Sequence, residues 1–139
     1  MPTTTTHDEL ELARLPVARI QDVLLSRMVV REEGTRLGFA PQALTQIATA
    51  VSEITRNVVQ HAGGAGQVRV LKLAEPGRCG LKITVEDSGV GIADIDRVLA
   101  GASPGAGIAG CRKLMDEFAI RSSAGTGTAV TMVKWLPNA

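Results

Sequence analysis

The stretch from Pro41 to the Gly63-Gly64 pair constrains the fold of this chain more than any other. Leu44, Ile47, Ala48, Val51, Ile54 and Val58 recur at spacings of three and four, so one side of a helix there is apolar. Pro41 suits a first helical turn, and the paired glycines supply a stop. A long helix with one apolar side needs other elements to bury it, and it sets the layer that the rest must form. The same helix carries Glu53, Asn57 and His61 four residues apart, on one face. A polar row beside a buried stripe is ordinarily just the solvated side of an amphipathic helix.

The neighbouring segments read as one layer of strands and a second helical pattern. Leu10 to Ile20 reads as a strand, with Pro16 marking an edge position or a break. From Asp22 the apolar positions Val23, Leu24, Met28, Val29 and Leu37 suggest a single helical stripe, closed by Gly38. Two runs rich in Val, Ile and Leu, Gln67–Leu73 and Cys79–Glu86, form strands joined at the Glu75-Pro76-Gly77 turn. After Asp87-Ser-Gly-Val-Gly91 a short helix is expected over Ala93–Ala100. A glycine-rich segment, Gly101–Gly107, then leads into a helix ending near Phe118. A final hairpin pairs Phe118–Ser123 with Thr128–Leu136 across Ala124-Gly-Thr-Gly127. This order predicts an α+β fold, a two-layer α/β sandwich with helices packed on one face of a mixed sheet. Residues 1–9 are expected to be a disordered tail and 10–137 a single domain, with no internal repeat.

Composition narrows the function. Hydrophobic residues make up 45% of the 139, but only 2% are aromatic, so the core is aliphatic. A net charge of +1 lacks the basic excess of a nucleic-acid-binding surface. Cys79 and Cys111 are too few for a disulfide framework or a zinc site and read as free thiols. The polar N-terminus lacks signal-peptide character, and no apolar run approaches the ~20 residues of a membrane span. A cytoplasmic location is therefore expected, with no nucleic acid or membrane partner.

Three further segments give the polar row on the long helix its interest. Asp87 ends a strand just before Gly89 and Gly91. A carboxylate there can accept a hydrogen bond from an exocyclic amine, and the glycines let backbone approach a flat ligand. Gly105, Gly107 and Gly110 surround a helix start, where free N–H groups and the helix dipole favour phosphate. Thr128 follows the tight turn at Gly125 and Gly127 and can reach a nucleotide from the sheet. Each segment alone has an ordinary structural explanation.

Together, Glu53-x-x-x-Asn57, Asp87-x-Gly89-x-Gly91, Gly105-x-Gly107 and Gly125-x-Gly127-Thr128 resemble, in order, the conserved boxes of the GHKL ATPases (the histidine-kinase-like, or Bergerat, fold). Val51-Ser-Glu-Ile-Thr-Arg-Asn-Val-Val-Gln-His61, Lys113-Leu-Met-Asp-Glu-Phe118 and Val133-Lys-Trp-Leu136 are similar to the RsbT-type serine/threonine kinases, over roughly residues 10–136. The resemblance implies ATP and Mg²⁺ as cofactors. It makes Asn57 the Mg²⁺ ligand and Glu53 the general base on the incoming serine hydroxyl. Asp87 would take the adenine amino group, with Gly89 and Gly91 making room for the base. Gly105 and Gly107 would hold phosphate, Thr128 would support the adenine end, and His61 would lie near the phosphates. It also implies a STAS-domain, RsbS-like substrate protein and a downstream PP2C-type phosphatase in sigma-factor control. Two other readings fit parts of the pattern. One is an anti-sigma factor of the RsbW or SpoIIAB type. The other is a nucleotide-binding docking module without catalysis, suggested by the short stretch between Gly91 and Gly105.

Overall fold

The computed structural model describes residues 8–61, 65–89, 106–123 and 125–137. In these, three helices accompany a five-stranded sheet, with β1 at Asp8–Val17, α1 at Ile20–Leu37 and α2 at Pro41–His61. The chain continues through β2 (Gly66–Glu75), β3 (Arg78–Asp87), α3 (Ala106–Leu114), β4 (Glu117–Ser123) and β5 (Gly127–Trp135). The strand order is β1-β2-β3-β5-β4. The two-layer α+β arrangement is the one expected. The sheet, however, is antiparallel at all four described pairings rather than mixed. The crossover from β3 to β4 carries α3 and sets β4 outside β5, so no parallel neighbours arise among the described strands.

β1 is an edge strand, as Pro16 suggested, and it carries an irregularity between Glu11 and Ala13. One face of the sheet is the core face. Val68 and Val70 of β2, Leu81, Ile83 and Val85 of β3, and Val130 and Met132 of β5 pack there under Ile47, Val51, Ile54 and Val58 of α2. The alternation along each strand follows from the two-residue period of a pleated sheet. The opposite face is mixed: Leu71, Leu73 and Val133 are buried there outside the core cluster, and ion pairs brace it. Glu11 bridges Arg14 and Arg69, and Lys82 reaches Glu9 at 2.7 Å. The hydrogen bonds from Arg14 and then Arg69 hold the exposed Glu11 carboxyl down at about 2.

α2 buries the side the sequence marked. α1 does not. Its buried line is Val23, Ser26, Val30 and Gly34, while Leu24 and Met28, expected in the same stripe as Val23, are 58% and 66% exposed. Consecutive helical residues lie ~100° apart, so Val23 and Leu24 cannot both lie at the centre of one narrow face. Gly38 ends α1 in the left-handed region at φ 102°, with its N–H and that of Phe39 returning to the Gly34 carbonyl. α3 stops at Leu114 rather than near Phe118. Asp116 N already bonds Val133 O, and Asp116 Oδ2 accepts from Trp135 N at 2.7 Å, so the chain has joined the sheet by then. The helix expected over 93–100 lies outside the described residues.

Candidate functional site

The site residues gather around one end of the central strand. Asp87 is the last residue of β3, in register with Gly66 of β2 on one side and Thr128 of β5 on the other. Its Oδ1 accepts a hydrogen bond from Gly89 N at 2.9 Å. That bond turns the chain out of the sheet and leaves the second carboxylate oxygen for an outside donor.

The β4–β5 turn is fitted closely to this carboxylate's backbone. Gly127 sits at φ 83°, and a Cβ there would collide with the Asp87 carbonyl oxygen. Only glycine meets both demands, the backbone conformation and the approach. Ser122 Oγ donates to Gly127 O at 2.8 Å and lies 2.8 Å from Thr128 Oγ1. A serine hydroxyl has one proton, so Thr128 is the donor in the second bond and keeps its lone pairs. Beside Asp87 the sheet end opens into a hollow of about 380 Å³, lined in part by Arg121, Ser122, Thr126 and Thr128. A second hollow lies on the other side of Asp87, against Ala18, Ala65 and Gln67.

α2 overlies this strand end. A Cβ on Gly66 would stand 2.7 Å from Val58 Cγ1 and 3.5 Å from Asp87 Cβ, so the last turns of α2 lie against the start of β2 beside Asp87. Val58 faces inward, and Asn57, the preceding residue, is half-buried at the margin of the helix. Glu53, one turn earlier, is also half-buried, and its Oε1 accepts from Arg56 Nη1 at 2.9 Å. His61 is exposed at the last position of the helix.

α3 closes the Glu53 side. Cys111 is buried, and its thiol donates to Ala50 O at 3.4 Å. Burial, and then the negative charge of Glu53, push that thiol up to about 12. Ala50, whose carbonyl meets Cys111, stands one helical turn before Glu53, so the Glu53 side of α2 adjoins α3. Gly107 is in the first turn of α3, where backbone N–H groups have no partner within the helix. Gly91 and Gly105 lie outside the described residues.

The structure thus brings Asp87, Gly89 and Thr128 together directly, and it sets the Glu53–Asn57 face of α2 between that strand end and α3. Three contributors escaped the sequence reading. Ser122 supports Thr128 from the neighbouring strand, and its register position was the only clue. Gly66 permits the α2 approach. Arg56 pairs with Glu53, which the i,i+3 spacing allowed but did not demand.

The geometry fits a purine nucleotide with a magnesium ion. Asp87 offers an acceptor, Gly127 and Gly66 keep the strand ends bare, and the first turn of α3 offers free N–H donors. Among the described residues no three His, Cys, Asp or Glu side chains cluster. A magnesium held chiefly by phosphates and water needs only one or two protein oxygens, and the Asn57 amide is a residue that could offer one.

Comparison with known proteins agrees with this geometry. Residues 17–134 match the family described as the histidine kinase-like ATPase domain. The serine/threonine-protein kinase RsbT of Bacillus subtilis is 40% identical over 120 residues, 83% of this chain and 90% of that protein. An anti-sigma F factor of Pasteuria penetrans is 37% identical over 107 residues, 68% of this chain and 70% of that protein. Among solved structures, the RsbU and RsbW domains of a Mycobacterium tuberculosis protein superpose at a TM-score of 0.65 with 22% identity. That match covers 94% of this chain and 34% of the other, and it speaks to the fold alone. The family match spans most of the chain and takes in the α2 row, Asp87 and Thr128, so this chain belongs to the histidine kinase-like ATPase family.

Proposed function

We propose that this chain is an ATP-dependent serine/threonine protein kinase that phosphorylates a small STAS-domain protein and so relays a signal, through a PP2C-type phosphatase, to sigma-factor control in the cytoplasm. The observation that carries the reading is the 40% identity to RsbT over 83% of the chain, with Glu53 one turn before Asn57 on the face of α2 that α3 adjoins. The bound magnesium would neutralise phosphate charge during transfer. The chain's own residues do the rest. The Asn57 amide oxygen holds the metal, and the Asp87 carboxylate takes the adenine amino group. Gly107 and its neighbours give N–H donors to phosphate. Glu53 receives the proton of the acceptor hydroxyl as its oxygen bonds to the γ-phosphorus, and ADP departs with the broken bridging bond. The Arg56 contact to Glu53 is half-exposed and spans a single helical turn, a pairing worth only ~0.3–0.5 kcal/mol, so it yields readily when an acceptor arrives.

The test is transfer from γ-labelled ATP to a purified STAS-domain protein. Glu53→Ala should slow the transfer by about 100-fold or more while the variant still binds nucleotide. Transfer at the parent rate removes the catalytic assignment. Calorimetry on Asn57→Ala should show the loss of magnesium-dependent ATP affinity. Asp87→Asn should erase a preference for ATP over GTP. A second reading, sequestration of a sigma factor, is favoured by the anti-sigma F relatives. Capture of a sigma factor in preference to a STAS protein would select it.

A further inference from the structure

Ser122, Thr128 and Asp87 stand in one row across three strands. Ser122 of β4 is in register with Thr128 of β5, and Thr128 is in register with Asp87 of β3. Residues opposite one another in neighbouring antiparallel strands share a face, with Cβ atoms about 4.5–5.5 Å apart. The Thr128 hydroxyl therefore has a serine on one side and a carboxylate on the other. The carboxylate is the stronger acceptor, since hydrogen bonds to an ionised group are roughly twice as strong as neutral ones. The Thr128 proton nonetheless goes the other way. Ser122 Oγ gives its own proton to Gly127 O at 2.8 Å, so the 2.8 Å contact between the two hydroxyls is filled by the proton of Thr128. Asp87 Oδ1 takes the Gly89 N–H, and no hydrogen bond joins Asp87 to Thr128 among the described residues.

We propose that Ser122 is a positioning residue for base selectivity: by taking the Thr128 proton it keeps the second oxygen of Asp87 open to the exocyclic amine of a purine. The inference rests on the nucleotide reading above and names what keeps its adenine contact selective. The hydrogen bonds run in one direction, from Thr128 to Ser122 to Gly127 O, away from the hollow that Asp87, Ser122 and Thr128 line. The Gly127 carbonyl sets that direction. It accepts the serine proton from a turn at φ 83° where a Cβ has no room, so Ser122 can only accept from Thr128. The wall facing the hollow then offers two acceptors side by side, the carboxylate and the threonine oxygen, and an amine satisfies them. Without the serine hydroxyl, the Thr128 proton turns to the carboxylate beside it, because a charged acceptor outcompetes a neutral ring nitrogen. An incoming amine must then displace that bond. A ring carbonyl oxygen in the same place no longer faces a bare negative oxygen. Both changes narrow the choice between amine and carbonyl.

The test is calorimetric titration of the full chain with ATP and with inosine triphosphate, both with Mg²⁺. Inosine carries a carbonyl and a ring N–H where adenine carries its amine and a bare ring nitrogen. The parent should prefer ATP by about tenfold or more. Ser122→Ala should narrow that ratio by about fivefold or more. Ser122→Cys, closer in volume and with a weak acceptor, should narrow it less, and it serves in place of the alanine variant if that one does not fold. Ser122→Thr keeps the hydroxyl and should keep the ratio. Adding Thr128→Val to Ser122→Ala removes the competing proton, so the ratio should recover even where both affinities fall. A merely structural serine would lower the melting temperature and weaken both nucleotides alike, leaving the ratio unmoved. A parent that prefers ATP while Ser122→Ala and Ser122→Cys keep the full ratio overturns this inference and leaves the nucleotide reading standing. So does a narrowed ratio that Thr128→Val fails to restore. A parent that binds both nucleotides equally, or neither, overturns the adenine contact itself and the inference with it.

Discussion

α1 and α2 lie side by side in one layer, and both show apolar residues at helical spacing, yet they use them differently. In α2 every member of the stripe, from Leu44 to Val58, is buried against the sheet or its neighbour helices. In α1 the core takes Val23 and Val30, with Ser26 between them and Gly34 beyond them completing the buried line, while Ile20, Leu24 and Met28 face outward. The lesson concerns what periodicity measures. It reports that one angular sector of a helix is apolar, but not whether that sector meets the same molecule or another one. α2 has the polar row Glu53, Asn57 and His61 to show which side is wet. α1 has apolar side chains on both sides, and its buried side includes Ser26, whose hydroxyl has no hydrogen-bond partner among the described residues.

The contrast is sharpest in stability. Ile47 is fully buried at the centre of the α2 stripe, and Ile47→Ala should cost about 3–5 kcal/mol in urea unfolding, from lost transfer energy and the cavity left behind. Leu24→Ser on α1 should change the same measurement by no more than about 0.5 kcal/mol, because an exposed side chain loses little on replacement. Comparable losses at the two positions would mean that α1 packs on its outer flank, and the difference drawn between the helices would fail. Between these extremes lies Thr128→Val at the site. It removes the bond to Ser122 while Ser122 keeps Gly127 O, so a loss of about 1 kcal/mol is expected, together with weaker nucleotide affinity by calorimetry.

The two cysteines extend the comparison to chemistry. Cys111 is buried beneath the Glu53 side of α2, and its thiol is pushed up to about 12, so it is protonated and inert at neutral pH. Cys79 is half-buried at the start of β3. Thiol titration of the folded chain at pH 8 should label Cys79 well before Cys111, with both labelled at once in urea. Early labelling of Cys111 would show that α3 separates easily from α2, and would loosen the frame around Glu53.

Much of this was legible because it rests on local rules. The α2 stripe, the Gly38 stop, the Glu75-Pro76-Gly77 turn and the edge position of β1 each follow from a few neighbouring residues, and each stands within two or three residues of where it was read. The antiparallel pairing of every described strand was not legible, since a segment linking β3 to β4 can return a strand in either sense. Nor were Ser122 beside Thr128 and the clash that fixes Gly127 as glycine. Both depend on which strands become neighbours, and that is decided by the whole sheet. The four boxes were found as spacings, and the structure adds for Glu53, Asn57, Asp87 and Thr128 a shared neighbourhood. Gly91 and Gly105 fall outside the described residues, so that half of the pattern rests on the sequence.

The smallest expected effect separates the two helices at their first turns. α1 begins with Asp22, whose Oδ2 accepts from Ala18 N at 2.8 Å and from Arg19 N at 3.0 Å, while α2 begins at Pro41 with no acidic residue in its first turn. Those two backbone donors, Ala18 first, hold the Asp22 carboxyl below its ordinary value of 3.8. Its folded form therefore releases the proton more easily than its unfolded form. The contribution to stability is present above pH 3.8 and fades as the pH falls below that, towards the lower folded value. Asp22→Ala should then melt below the parent at pH 7, with a gap that narrows steadily as the pH is lowered through 3.8. A proline start has no titrating cap, so amide exchange in the first turn of α2 should show no matching difference between parent and variant. A gap that stays constant with pH would mean that Asp22 holds α1 through its shape rather than its charge. The entry to α1 would then be as indifferent to acid as that of α2.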